Sequence, residues 1–267
     1  YVLVAVRSGS SSRSTTSGAR IYVGRNAGSA AMLIISNGVH DVRGINHEAN
    51  ANFVGVTATG TLLMEGGSLR LAYLRQAING GNGSVTINNG TLEVTHGSDT
   101  PTLIGYAHMI GNNHTDATSA TTGSGTLTVN GGQAIFTNGI IKVGSFSAAS
   151  SGAQAVALNG GTLAVRRFYI DSSINVPKTF TLNGGTLQVA ANGDLFLGPG
   201  VTNGTLKVYV GNGGAVIDTG VHNVTNAAAL LAGGTGGLTK LGSGTLTLAG
   251  TNTYTGQTRV QAGLLRY

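Results

Sequence analysis

Any chemistry in this chain must come from nine carboxylates, six histidines and a basic N-terminal stretch, because its 267 residues include no cysteine. That rules out disulfides, a thiolate nucleophile and Cys-based metal sites. Polysaccharide cleavage needs carboxylates gathered together, as an acid–base pair or around a cation. Here Asp41, Glu48, Glu65, Glu93, Asp99, Asp116, Asp171, Asp194 and Asp218 are dispersed. Asp171, Asp194 and Asp218 are spaced 23 and 24 apart. In a repeating fold that spacing would line them up on one face as a cation or glycan site. Asp is also a residue that ends strands and opens turns, and that reading is preferred for all three.

Residues 96–122 hold His96, Asp99, His108, His114 and Asp116, a set of types that can bind zinc. No close His-x-x-x-His pair and no Glu base accompany them, and a polar loop leaving the main body explains the same residues. His40, His47 and His222 stand alone, as turn or surface residues. The serines form no Gly-x-Ser-x-Gly elbow and the glycines no Walker loop. The reading therefore assigns no catalytic, cofactor-binding or metal-ligating residue, and expects no cofactor.

The elements that would carry such residues are repetitive. Asn-Gly-Gly-Thr-Leu-x-Val occurs at 159–165 and 183–189, with looser copies at 65–69, 88–94 and 130–132. Aligned on Gly38, Gly67, Gly90, Gly132, Gly161, Gly185 and Gly214, the intervals are 29, 23, 42, 29, 24 and 29. That is the length of one solenoid rung, with an insertion in the longest. Strands such as Thr126-Leu127-Thr128-Val129 precede the Asn-Gly turn, and strands such as Ile141-Lys142-Val143 follow it. Three strands per repeat give a three-sided coil. Alternation puts Leu, Val and Ile inside and Thr outside. The fold class is therefore all-β, a parallel β-solenoid of about eleven rungs, forming a rod on the order of 50 Å long. The rival is an antiparallel meander, since Asn-Gly also makes hairpins; the repeating rung length favours the coil.

Composition agrees. Hydrophobic residues at 40% supply a core, and charged residues at 9% are few against roughly 25% in ordinary domains. Gly 45 and Pro 3 suit strands and tight turns. Helix signals are scarce: Asn226-Ala-Ala-Ala-Leu-Leu-Ala232 is too short for a helix and reads as a loop or single turn. No run of ~20 apolar residues is present to span a membrane as a helix. Net charge is +6, and Arg7, Arg13, Arg20, Arg25 and Arg43 crowd the N-terminal stretch. Such a stretch attracts anionic glycans or cell surfaces, or is simply a solvated face. Nucleic acid is set aside, because no aromatics interleave with the arginines.

The segment Gly242-Ser-Gly-Thr-Leu-Thr-Leu-Ala-Gly-Thr-Asn-Thr-Tyr-Thr-Gly-Gln-Thr-Arg-Val-Gln-Ala-Gly-Leu-Leu265, with its lead-in Gly236 to Leu241, closely resembles the passenger-associated transport repeat of bacterial autotransporters. The resemblance implies a right-handed parallel β-helix, exported by a Gram-negative-type cell to its outer surface or beyond. Passengers of this kind are mostly adhesive or structural, and a minority are enzymes. The expectation is one β-solenoid domain over 1–267, with loop insertions near 41–58 and 97–122 where recognition would reside, and a transport-repeat-like segment at 236–265. Its function would be a non-catalytic extracellular structural or adhesive rod. Its bare ends, at Tyr1 to Val6 and Gly263 to Tyr267, imply either self-association end to end into a surface filament or a chain cut from a longer solenoid. The alternatives are a polysaccharide-active β-helix enzyme and a passive transport scaffold.

Overall fold

The computed structural model describes residues 2–6, 14–15, 21–42, 52–96, 106–110, 122–144, 151–171, 177–198, 201 and 206–267. These form 26 strands, with Val201 alone in helical conformation. Every strand pairing among them is parallel, for example Val2–Val6 on residues 31–35 and Thr59–Leu71 on Asn82–Val94. The antiparallel meander is thereby excluded.

The strands stack in three columns. The first side contains Ala30–Ile35, then residues 59–64 and 82–87, then Gly125–Val129, Gln154–Leu158, Lys178–Leu182 and Leu206–Val210. The second side runs from Ser14–Thr15 through Val39–Val42 to Leu238–Leu241 and Thr258–Val260. The third runs from Tyr22–Val23 through Leu74–Gln76 and Tyr106–Ile110 to Thr245–Leu248 and Leu264–Arg266. The second side has ten strands among the described residues, one fewer than the eleven rungs expected. At ~4.8 Å per step, they span about 43 Å.

The register reproduces the glycine spacing. Val39, Ser68, Thr91, Gln133, Thr162 and Thr186 are successive partners, and they lie 29, 23, 42, 29 and 24 residues apart. The 42-residue step is therefore one coil carrying an insertion. Part of that insertion is itself a strand: Tyr106–Ile110 takes the normal third-side position. Asn52–Val54 does the same within 41–58. The intervening residues 43–51, 97–105 and 111–121 lie outside the described residues, as do Asp99, His114 and Asp116.

Alternation does what the pattern predicts. Leu33, Leu62, Val85, Leu127, Val156, Phe180, Val208 and Leu230 form one inward rank, all buried. Each fully buried Leu or Val contributes about 1.5–3 kcal/mol of hydrophobic stabilisation. Glycine is needed where the chain turns from the first side to the second. Gly67, Gly90, Gly132 and Gly161 have φ between 61° and 81°, and a Cβ on Gly161 would sit 2.5 Å from the Gly132 carbonyl oxygen. In the next coil the positive φ moves to Gly184, not Gly185.

The asparagines of the repeat have a second role at this corner. Asn88 Nδ2 donates to Glu65, Asn130 to Asn88, Asn159 to Asn130 and Asn183 to Asn159, at 2.8, 2.8, 2.9 and 3.4 Å. Asn183 Oδ1 then accepts from the Gly213 N–H at 2.8 Å. Stacking identical turns in register produces this ladder.

Two local readings change. The Ala-rich segment 226–232 is a loop only at 227–229: Asn226 ends a third-side strand, and Leu230–Ala232 is a first-side strand on Val208–Val210. On the third side the column is staggered near residue 195. Leu195 accepts from Phe168 N–H and donates to Thr225 O, so Gly193–Asp194 and Phe196–Leu197 face different neighbouring coils.

Candidate functional site

The three aspartates do not form a ladder. Asp218 stands on the second side, paired with Gln188 and Leu241. Asp194 stands on the third side opposite Thr225. Phe168 pairs with Phe196, so the coil position after Asp171 falls beyond Gly198 rather than at Asp194. The rung there is longer than the Asp spacing. Four of the described acids are held by structural partners. Glu65 accepts from Asn88, Glu93 meets Arg70 at 2.8 Å, Asp171 meets Lys142 at 3.2 Å, and Asp218 accepts from Gly220 N–H at 2.8 Å. Asp194 is exposed. Among the described residues no group of three His, Asp or Glu is placed to hold a metal.

His108 and His96, which the sequence put together in one loop, separate. His96 is half-buried, with Nδ1 2.9 Å from the Thr95 hydroxyl. His108 lies inside the coil, in the rank of Leu74 and Ile141. Its ring stacks on Phe136 with centroids 5.0 Å apart, and Nε2 donates to Gln76 Oε1 at 2.6 Å. Burial, with Arg75 nearby, pushes its pKa down from 6.5 to about 3. It is a neutral core histidine.

Sequence reasoning missed a set of polar side chains inside the coil. Gln76 Nε2 donates to Thr126 O at 2.7 Å. Gln154 bonds Gly123 O, Gly152 O and Gly125 N–H at 3.1, 2.8 and 2.8 Å. Lys142 Nζ donates to Gly144 O at 3.0 Å and pairs with Asp171. Burial lowers the Lys142 pKa from 10.5 to about 8, against the opposing pull of Asp171. Lys178 shares this corner, because a Cβ on Gly144 would lie 2.5 Å from Lys178 Cε and 3.3 Å from Asp171 Oδ1.

Lys240 is the clearest case. It occupies an inward rank between Ile217 and Val260 and is fully buried. Its ammonium donates to Thr219 Oγ1 at 2.9 Å, Leu241 O at 2.8 Å, Gly242 O at 2.8 Å and Ala262 O at 3.2 Å. Those acceptors come from three successive coils. Burial lowers its pKa and Asp218 opposes that shift. Lys142-Val143-Gly144 and Lys240-Leu241-Gly242 are the same device, an ammonium curled back onto the glycine two residues ahead.

The outside of the first side is sparsely charged: one row runs Thr61, Ser84, Thr126, Ala155 and Thr179 before reaching the exposed Lys207, and the next runs Leu63, Thr86, Thr128, Ala157, Thr181 and Tyr209. The second side stacks Asp41, Arg70 and Glu93 with alternating sign. Of the N-terminal arginines, Arg25 is described, exposed, with its guanidinium carbon 4.6 Å from the Tyr22 ring centroid; Arg7, Arg13, Arg20 and Arg43 lie outside the described residues. A concave space of about 540 Å³ opens where residues 28–30, 57–59 and 80–82 turn between the third and first sides. The last coil leaves Val260, Leu264 and Tyr267 exposed. No helix of the described residues is long and apolar enough to cross a membrane.

Comparison with known proteins adds to this geometry. Residues 238–266 match the passenger-associated-transport-repeat family, so Lys240 and its acceptors in the two last coils fall within the repeat. Over 235 residues the chain is 28% identical to the adhesin BmaC autotransporter of Brucella suis biovar 1 (strain 1330). The match takes in 87% of this chain and 6% of that much longer protein. No solved structure matches. The chain is thus a β-solenoid similar to an autotransporter passenger, and its residues 238–266 match the passenger-associated transport repeat.

Proposed function

We propose that this chain is a non-catalytic adhesive rod carried on the outer surface of a Gram-negative-type bacterium, and that copies stack end to end. The adhesive part of the reading draws on the similarity to an autotransporter adhesin. The observation that carries the rest is the coil itself, in which every strand pairing among the described residues is parallel, from residues 2–6 on 31–35 to Thr245–Leu248 on Leu264–Arg266. A stack of parallel coils is extended by parallel strand addition from another copy, and head-to-tail addition that does not close gives a filament.

Polysaccharide cleavage needs two free carboxyl groups facing one substrate, and among the described residues Glu65, Glu93, Asp171 and Asp218 are instead engaged within the coil. The test combines electron microscopy of the purified chain over a concentration series with adhesion of chain-coated beads to host cells. Elongated fibres and saturable adhesion are the expected results. A monomer at high concentration removes the stacking, and beads no more adherent than uncoated ones remove the adhesion.

A further inference from the structure

We infer that the corner groove at residues 28–30, 57–59 and 80–82 is a binding site for acidic polysaccharide; this rests on the adhesive reading and gives it a location. The groove holds about 540 Å³, within the range of ligand sites. Three stacked turns line it with Gly, Ala, Ser29, Thr57, Thr59 and Asn82, so no side chain larger than asparagine fills it and none is charged. Its polar groups are held in place. Ser29 Oγ donates to Asn26 O at 2.6 Å, the Thr57 hydroxyl donates to Arg25 O, and Asn82 Oδ1 accepts from Ser124 N–H at 2.9 Å. The hydroxyl oxygens of Ser29 and Thr57 keep lone pairs that can accept from sugar hydroxyls, and the Asn82 amide keeps its two donors.

A second feature marks the same corner. Ala77 and Asn79 have φ of 53° and 50°, the two non-glycine residues in the left-handed region among those described. They lie directly before Gly80 and Gly81 in the lowest of the three turns. An alanine there costs of order 1 kcal/mol, a strain that shapes the turn and that the coil retains. The ligand's sign comes from a third feature. Arg25 stands exposed on the top turn, its guanidinium laid over Tyr22. The sequence around it is the most basic in a +6 chain. The Arg25 carbonyl holds the Thr57 hydroxyl of the groove, and an exposed guanidinium on a residue so anchored to an uncharged, hydroxyl-lined trough suits a chain of sugars bearing carboxylate or sulfate groups. The sugar hydroxyls would lie along the turns and the anionic group against Arg25.

Titration calorimetry tests this with the full chain, using polygalacturonate, the same polymer fully methyl-esterified, dextran sulfate, and vesicles containing anionic lipid. Three variants accompany the native chain. Arg25→Glu reverses the charge at the groove; Arg266→Glu makes the same change of net charge at the far end of the rod; Thr59→Trp fills the groove without touching charge. The inference expects binding to polygalacturonate or dextran sulfate, at least tenfold weaker binding by Arg25→Glu and by Thr59→Trp, and binding within twofold of native by Arg266→Glu. Loss of affinity on methyl esterification adds support. Equal weakening by Arg25→Glu and Arg266→Glu, native affinity in Thr59→Trp, binding to vesicles alone, or no binding at all overturns it. If beads coated with the native chain still adhere to cells in any of those cases, the adhesive reading stands and only its location here is lost.

Discussion

Lys240→Met separates the two things that lysine does. Methionine keeps the buried aliphatic stem between Ile217 and Val260 and removes the ammonium. Three N–H donors are then withdrawn from four oxygens at 2.8 to 3.2 Å. Hydrogen bonds to a charged group contribute roughly 1.5–3 kcal/mol each. Against that stands the several kcal/mol needed to bury an ammonium. Gly242 and Ala262 lie at turns partly open to solvent, so water replaces part of what is lost. The net cost is about 2–3 kcal/mol. In a solenoid stability is summed over neighbouring coils, so the loss falls on the coils that lysine joins. Native-state hydrogen exchange is the assay. Amides in Thr258–Val260 and Leu264–Arg266 should exchange roughly 30- to 100-fold faster at a tenfold change per 1.4 kcal/mol, while those in 82–87 keep their protection. Unchanged exchange at 258–266, or equal acceleration along the whole rod, would refute the clamp.

Three further outcomes follow from how the coils stack. His108 has a folded pKa of about 3 against 6.5 unfolded, so the unfolded chain binds more protons between those values. Stability is complete above pH 6.5 and falls as the pH drops, by as much as about 4 kcal/mol near pH 3. His108→Phe should flatten the urea-midpoint profile over that window, and parallel profiles would count against it. Asn159→Ala breaks the ladder to Asn130 and Asn183 at exposed positions and should cost about 0.5–1.5 kcal/mol; a double-mutant cycle with Asn130→Ala should show coupling, and strict additivity would argue that the ladder is decorative. Phe180 packs against Phe168 and Phe196, with centroids 5.0 and 5.6 Å away. Phe180→Ala should lower stability by about 3–5 kcal/mol, read as a fall in the thermal midpoint, and a loss under 1 kcal/mol would mean that the site collapses to fill the space.

The coil was legible because its two signals are both local. Period-two alternation tells inside from outside in strands such as Thr126-Leu127-Thr128-Val129, and a glycine with φ near 60–80° sits at the same place in the turns at Gly38, Gly67, Gly90, Gly132, Gly161 and Gly214. What stayed hidden depends on neighbouring coils. In Asn183-Gly184-Gly185 two glycines compete for the positive φ. Gly184 takes it because its N–H reaches Gly214 O and Asn183 reaches Gly213 N–H in the next coil. The alanines at 227–229 carry no strand preference, but Val208–Val210 provides an edge that Leu230–Ala232 completes; context overrides propensity. His108 could not be placed by spacing, since it sits in the one coil whose length is irregular. The ladder reading of the aspartates, set aside on the sequence, fails for a similar reason: their spacing matches the shorter rungs, while the coil from Phe168 to Phe196 is longer.

The polar interior has its own logic. A strand's inward face offers no hydrogen-bond partners, because its backbone groups are spent on the coils above and below. The corners do offer them, since turn carbonyls such as Gly123, Gly152, Gly242 and Ala262 point where no strand pairs. Buried Gln154, Lys142 and Lys240 all reach such corners. Aliphatic ranks are tolerant, and a coil displaced by two residues would again bury Leu on Leu. An ammonium whose acceptors lie in three particular coils accepts no such shift. Lys240 therefore acts on register more than on total stability, and it does so inside the segment that matches the transport repeat. A lysine in an inward rank, followed two residues later by a positive-φ glycine, is the sequence mark of that lock.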